Sequence, residues 1–193
     1  LDHGGPGGTA RSAGQPWAYQ RAARNAPEPW PSRREHQACR ETRARRNLAD
    51  FVEGRLEGEA ALRLNFERAA YVDDKVLESL AKDLPAGLES LALKFEGCGR
   101  ISDEGPALLA EGLAASRQLR SLTLDFTDCL RITNAGFSAL AKKLPRHLRH
   151  LSLDVSYCRQ IGDESIVVLA EHLPEGLVEL RLGLLETSVS PAV

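Results

Sequence analysis

The sequence predicts an α/β solenoid in which one strand and one helix alternate at a fixed pitch. Three observations predict this fold class. Similar segments start near residues 59, 88, 119, 148 and 177, so their spacing is 29 residues, or 31 once. Each of the first four segments opens with apolar residues at alternate positions and ends with apolar residues at helical spacing. Repetition at a pitch of about 20 to 50 residues indicates stacked units that share one continuous core.

The opening of each segment predicts a strand with one buried face. Leu122, Leu124 and Phe126 stand at alternate positions, and alternate residues of a strand point to the same side of a sheet. One buried column should therefore cross all the strands. Its members are Phe66, Phe95, Phe126, Val155 and Leu184.

The second half of each full segment predicts a helix. Asp or Asn follows an apolar residue by two positions, and a short side-chain oxygen suits a helix N-cap. We expect these caps at Asp74, Asp103, Asn134 and Asp163. Proline then forbids continuation of the helix in three segments, at Pro85, Pro145 and Pro174.

This pattern resembles the leucine-rich repeat. Leu148, Leu151 and Leu153 form its L-x-x-L-x-L strand, and Cys158 and Ile161 follow before the L-A-x-x-L helix. The helical second half and the period near 29 are similar to the ribonuclease-inhibitor-like subfamily. The resemblance covers residues 59–185. It implies a right-handed solenoid, a short horseshoe arc with a parallel sheet on the concave side and helices on the convex side.

The ends of the chain differ from the repeats. Residues 1–31 are rich in Gly, Pro and Arg, which predicts disorder. Residues 32–58 predict an Arg-rich helix that begins at a capping box and covers the first repeat. Residues 186–193 form a tail without a helix, which leaves the last strand with an uncapped edge. Three outcomes stay open for that edge: a longer parent chain, pairing with another molecule, or fraying.

Composition excludes some partners. The chain has 25 Lys and Arg against 27 Asp and Glu, a net charge of −2, so no overall field favours nucleic acid or membrane. No apolar run approaches the roughly 18 residues of a membrane span. Arg33-Arg34 and the later arginine cluster only weakly match a nuclear-import signal. We expect an intracellular protein, cytoplasmic rather than nuclear, that needs no cofactor and does not bind nucleic acid.

Three cysteines recur in phase, at Cys98, Cys129 and Cys158. Ala69 occupies the same slot in the first segment, which favours a small buried side chain over a metal or redox site. A single row of thiols also lacks the convergent ligands that zinc requires. Free cysteines point to a reducing compartment. Cys39 stands apart, and we expect it at the solvated surface.

The strand residues between the buried leucines should form the concave face, where the resemblance implies partner binding. The candidate binding residues on this face are Arg63, Lys94, Asp125, His150, Asp154 and Arg181. Asp125 and Asp154 should lie on neighbouring strands, with Lys94 on the next strand. Such a carboxylate pair can hold a cation or transfer protons, but a flat sheet offers no pocket that excludes water.

The sequence therefore favours a non-enzymatic protein-protein interaction module. Two alternatives stay open. The first is a recognition or regulatory segment of a larger protein, such as a ubiquitin-ligase adaptor, an immune-type receptor or a GTPase activator. The second, less favoured, is a hydrolase or metal-dependent enzyme centred on Asp125 and Asp154. The identity of the partner and the oligomeric state do not follow from the sequence.

Overall fold

Strands and helices alternate along the chain. The computed structural model describes Ala49 and residues 60–190. The strands of the described part are β1 Ala61–Asn65, β2 Ser90–Lys94, β3 Ser121–Asp125, β4 His150–Asp154 and β5 Glu179–Gly183. The helices between them are α1 Asp74–Lys82, α2 Glu104–Ala115, α3 Asn134–Lys142 and α4 Asp163–Glu171.

The strands form one parallel sheet in chain order. Ser90 pairs with Ser121, and Ser121 pairs with His150, so neighbours in the sheet are equivalent residues of successive repeats. The same register continues across all five strands, and it confirms the alignment on which the predicted face rests. Parallel neighbours need a crossover connection, and one helix supplies each of them. The predicted α/β architecture is confirmed.

Alternate strand residues face the helices and form the core. Leu91 and Leu93 are 1% and 0% exposed, and their equivalents in β3 and β4 are 0–2% exposed. The rings of Phe66, Phe95 and Phe126 stack along the array with centroids 5.5 and 5.4 Å apart. Burial of one such side chain stabilises the fold by roughly 1.5–3 kcal/mol, so each repeat is held mainly through these residues.

The helices begin earlier than the N-cap prediction placed them. Asp74, Asn134 and Asp163 are already the first residues of their helices, and the caps are the preceding residues. Asp103 does precede α2, but its side chain makes no capping hydrogen bond. The N-cap prediction is therefore wrong for three residues and correct only in position for Asp103.

These four side chains link successive repeats instead. The Asp74 carboxylate accepts from Ser102 N at 2.8 Å and from Ser102 Oγ at 2.7 Å. The Asp103 carboxylate accepts from Thr133 N and Thr133 Oγ1, both at 2.7 Å. Asn134 and Asp163 repeat the contact through Oδ1, which accepts from the backbone N–H of Gly162 and Ser190. We call Asp74, Asp103, Asn134 and Asp163 the repeat ladder.

The turn after each strand uses one left-handed residue per repeat. Gly97 has φ +69°, which suits glycine, but the equivalent positions carry side chains. Those residues are Arg68, Asp128, Tyr157 and Glu186, with φ between 54° and 66°. The predicted small buried slot follows immediately, with Ala69 and the three cysteines at 0–1% exposure. We call Cys98, Cys129 and Cys158 the cysteine column.

The segment after β5 keeps this turn geometry and is bonded to the preceding repeat. Ser188 N donates to Ile161 O at 2.8 Å, and Ser188 Oγ donates to Arg159 O at 2.7 Å. Val189 packs against the core. The hydrogen bonds extend to Ser190, whose N–H donates to Asp163 Oδ1 at 2.6 Å. The predicted disordered segment 1–31, Cys39 and residues 191–193 lie outside the described residues. So does the predicted helix 32–58, apart from Ala49, which is helical.

Candidate interaction face of the sheet

Among the described residues, no helix covers one face of the sheet, and we call it the open face. Strands lie about 4.8 Å apart whereas packed helices lie about 8–10 Å apart, so we expect the sheet to curve with the open face on its inner side. Small and polar side chains dominate it. Its members are Ala61, Arg63, Asn65, Ser90, Ala92, Lys94, Ser121, Thr123, Asp125, His150, Ser152, Asp154, Glu179, Arg181 and Gly183.

The structure divides the predicted binding residues into three places. Lys94, Asp125 and Asp154 lie in one row at the ends of β2, β3 and β4, because these residues pair in register. His150 and Arg181 lie near each other on β4 and β5. Arg63 lies apart on β1, at the far side of the sheet, with an exposed side chain.

Asp125 and Asp154 shape the turns that follow their strands. Asp125 Oδ1 accepts from Thr127 N at 3.1 Å, and Asp154 Oδ1 accepts from Ser156 N at 2.9 Å. An acceptor bonded to the N–H two residues on is a common turn device of Asp and Asn. Asn65 makes the equivalent bond to the N–H of Glu67 at 2.9 Å. A turn-forming role therefore accounts for the carboxylate pair.

Gly183 gives the Asp154 carboxylate its space. A Cβ atom at position 183 would lie 2.3–2.4 Å from the atoms of that carboxylate. The absence of a side chain at the end of β5 is therefore part of the same arrangement. It also leaves the last position of this row without a charged group.

Glu179 joins the two predicted residues of the β4–β5 side. Glu179 Oε1 accepts from Arg181 Nε at 2.7 Å, and Glu179 Oε2 lies 3.3 Å from Nδ1 of His150. The Arg181 guanidinium, and after it the His150 ring, hold the pKa of the Glu179 carboxyl below its usual value. Glu179 is not among the binding residues that the sequence predicts. Its register position opposite His150 is the signal that points to this contact.

A shallow depression of about 340 Å³ lies on the open face next to this charged cluster. Thr123 and Ser152 line it from neighbouring strands, and both are only partly exposed. His150, Glu179 and Arg181 border it on one side. The depression thus combines small hydroxyl side chains with a charged border of both signs, a surface suited to hydrogen bonding with a partner.

The cysteine column is part of the core, as predicted. Its three thiols are free and buried. Sγ of Cys98, Cys129 and Cys158 donates to the backbone oxygen of Phe66, Phe95 and Phe126, respectively, at 3.1–3.2 Å. Burial raises the pKa of Cys98 and of Cys158 to about 11, and raises that of Cys129 further. Thiols with raised pKa values in a packed core are poor nucleophiles and poor metal ligands.

Within the described residues, no group of three or more His, Cys, Asp or Glu side chains is arranged to hold a metal ion. In the same part of the chain, no helix has both the length and the apolar character to cross a membrane.

Comparison with known families identifies the repeat. Residues 146–170 match the family model of the leucine rich repeat. The matched segment includes all of β4, the following turn and most of α4. The match and the regular alternation of strands and helices agree with a leucine-rich-repeat solenoid. No curated protein matches the chain. Leucine-rich repeats generally mediate protein-protein interaction and are typically non-enzymatic.

Proposed function

We propose that this chain is a non-enzymatic interaction module that binds a protein partner on the open face. The depression next to Glu179 is the observation that carries the proposal. Thr123 and Ser152 supply donors and acceptors there without long side chains to immobilise. His150 and Arg181 supply the adjacent charge, and electrostatic complementarity of this kind favours specificity and the association rate.

The part assigned to each candidate residue follows from its contacts. His150, Arg181 and Glu179 form the primary contact, since they border the depression. Lys94 and Arg63 extend the surface towards β1 with exposed positive charge. Asp125 and Asp154 act through the turns they shape, which keep the ends of β3 and β4 in place.

The surface favours a polar or charged partner segment over an apolar one. No Trp, Tyr or Phe stands among the open-face residues of the five described strands. Aromatic anchors dominate the free energy of many protein interfaces, so their replacement here by small polar groups predicts modest affinity with strong salt dependence. The free thiols favour an intracellular location, and the cysteine-containing repeat favours the ribonuclease-inhibitor-like subfamily.

Affinity capture from a lysate of the source cells, with the full chain as bait, tests the proposal. Ser152→Arg fills the depression, and it should release a partner that the unchanged chain retains. Ala135→Arg is the matched control, because Ala135 is exposed on α3 on the helical side. A partner retained by Ser152→Arg and released by Ala135→Arg would contradict binding on the open face.

A further inference from the structure

The outer edge of β5 ends the sheet, and among the described strands only β4 pairs with β5. Val155 N donates to Gly183 O at 2.9 Å, so the N–H of Val155 points from β4 towards β5. Leu184 takes the place of Val155 one repeat later. The main-chain N–H and C=O groups of successive strand residues point to opposite sides. Those of Gly183 face β4, so those of Leu180 and Leu182 point away from β4. The free edge therefore presents donors and acceptors ready to pair with another strand.

The side chains at this edge are more apolar and more exposed than the repeat requires. Leu180 is 38% exposed, whereas its partner in the register, Leu151, is 1% exposed. Val178, at the entrance to β5, is 70% exposed. The three preceding repeats carry charged residues at the Val178 position: Glu89, Arg120 and Arg149. Natural sheet edges are usually protected by charge, so an exposed valine beside the edge strand favours pairing with another chain.

The charges of β5 are complementary to a second copy of the same strand. In an antiparallel pair centred on Leu180, Glu179 lies opposite Arg181 of the second copy, and the contact occurs twice because of the two-fold symmetry. Centring on Arg181 would place two like charges together. Centring on Leu182 would place Arg181 opposite Gly183 and leave Glu179 without a charged neighbour. A shift of the pairing by one residue would place core-side residues of one strand opposite open-face residues of the other.

We propose that two copies of the chain pair through β5, antiparallel and centred on Leu180, and join their sheets into one. Leu180 of each copy then contacts Leu180 of the other, and Val178 contacts Leu182. Arg181 exchanges its bond with Glu179 of its own strand for one with Glu179 of the second copy. This inference does not depend on the partner proposed for the open face.

Sedimentation equilibrium of the full chain over a range of concentrations tests the dimer. The expected mass rises with concentration from 21.1 kDa towards twice that value. Arg181→Glu places four acids together, and it should raise the dissociation constant at least about tenfold. Glu179→Arg should act likewise, while the double variant Glu179→Arg/Arg181→Glu should restore association. Arg63→Glu is the control, because Arg63 takes the same repeat position on β1.

A monomer at every concentration would overturn the proposal. So would association that Arg181→Glu and Arg63→Glu weaken equally, since the contact would then not involve β5. Far-ultraviolet circular dichroism of each variant verifies that the fold persists. If both single reversals weaken association and the double variant does not restore it, the charge pairing between copies is wrong.

Disulfide formation fixes the register. Opposed hydrogen-bonded residues of an antiparallel pair have Cα atoms about 5.5 Å apart, within the range of a disulfide. In a Cys39→Ser background, Leu180→Cys should give a covalent dimer on mild oxidation, and Leu182→Cys should not. Covalent dimers from Leu182→Cys alone would place the two-fold axis at residue 182 and overturn the proposed register.

Discussion

Replacement of Asp103 by alanine removes a connection between two repeats. The carboxylate of Asp103 accepts from both the N–H and the hydroxyl of Thr133, each at 2.7 Å. A hydrogen bond to a charged group contributes about 1.5–3 kcal/mol, and water replaces part of it because the site is only partly buried. We therefore expect Asp103→Ala to lower the free energy of unfolding by about 2–4 kcal/mol.

The conservative variant Asp103→Asn tests whether the lost hydrogen bonds cause this decrease in the free energy of unfolding. Asn134 holds the same ladder position in the next repeat, and its Oδ1 accepts from Gly162 N. Asp103→Asn can keep the bond from Thr133 N, so it should cost less than half as much as Asp103→Ala. The ordering of the two variants tests whether hydrogen bonding, rather than loss of volume, is the cause.

Urea unfolding followed by circular dichroism measures these differences, provided that the slope with urea is unchanged. Asp83→Ala is the matched control, because Asp83 is exposed at the end of α1. Surface substitutions of this kind usually change the free energy of unfolding by less than about 0.5 kcal/mol. Equal midpoints for Asp103→Ala and Asp83→Ala would refute the ladder as a source of stability.

Three further predictions concern the packing of the repeats, and urea unfolding measures each of them. Phe95→Ala should lower the free energy of unfolding by about 3–5 kcal/mol and Phe95→Leu by clearly less, since Leu184 occupies the same column; equal losses would contradict buried apolar volume as the main source of the stability. Gly112→Ala should cost about 1–3 kcal/mol despite the helix preference of alanine, because its Cβ would lie 2.2 Å from the carbonyl oxygen of Ala81. Gly87→Ala is its control, with no atom within 4 Å, and should be nearly neutral. Between pH 9 and about 11 the folded cysteine column keeps protons that the unfolded chain loses, so stability should fall as pH rises, by at most about 1.4 kcal/mol per pH unit per thiol. Replacement of all three cysteines by alanine, which Ala69 shows to fit the slot, should flatten this decline relative to the unchanged chain; an identical decline would contradict the assignment.

The strand register was predictable because it depends on a single rule. Apolar residues at alternate positions recur once per repeat, so aligning Leu122 with Leu151 also aligns Asp125 with Asp154. The cysteine column was predictable for the same reason, since Ala69 stands in one of its slots. Local patterns that repeat in phase therefore carry tertiary information in a solenoid.

The helix starts were not predictable in the same way. An Asp before an apolar run suits an N-cap, and sequence reasoning took that local explanation for Asp74. The structure uses its carboxylate across 28 residues, on Ser102. The competing acceptor role becomes visible only when two repeats are stacked. The same holds for the contact of Glu179 with His150, because the two residues lie on neighbouring strands.

The assignment of Asp125 and Asp154 shows the limit of a surface map. Both residues lie on the predicted face and in the predicted row. Their backbone contacts at Thr127 and Ser156 depend on the turn conformation, which alternation alone does not specify. A residue can therefore be placed correctly on a face and still act mainly on its own turn.

Site-specific crosslinking tests binding on the open face most directly. A photoreactive amino acid at Thr123 would line the depression, and the same group at Ala135 would lie on the helical side. After irradiation in a lysate of the source cells, we expect a covalent adduct with a protein partner from position 123 and none from position 135. An adduct of the same partner from position 135 alone would contradict the account.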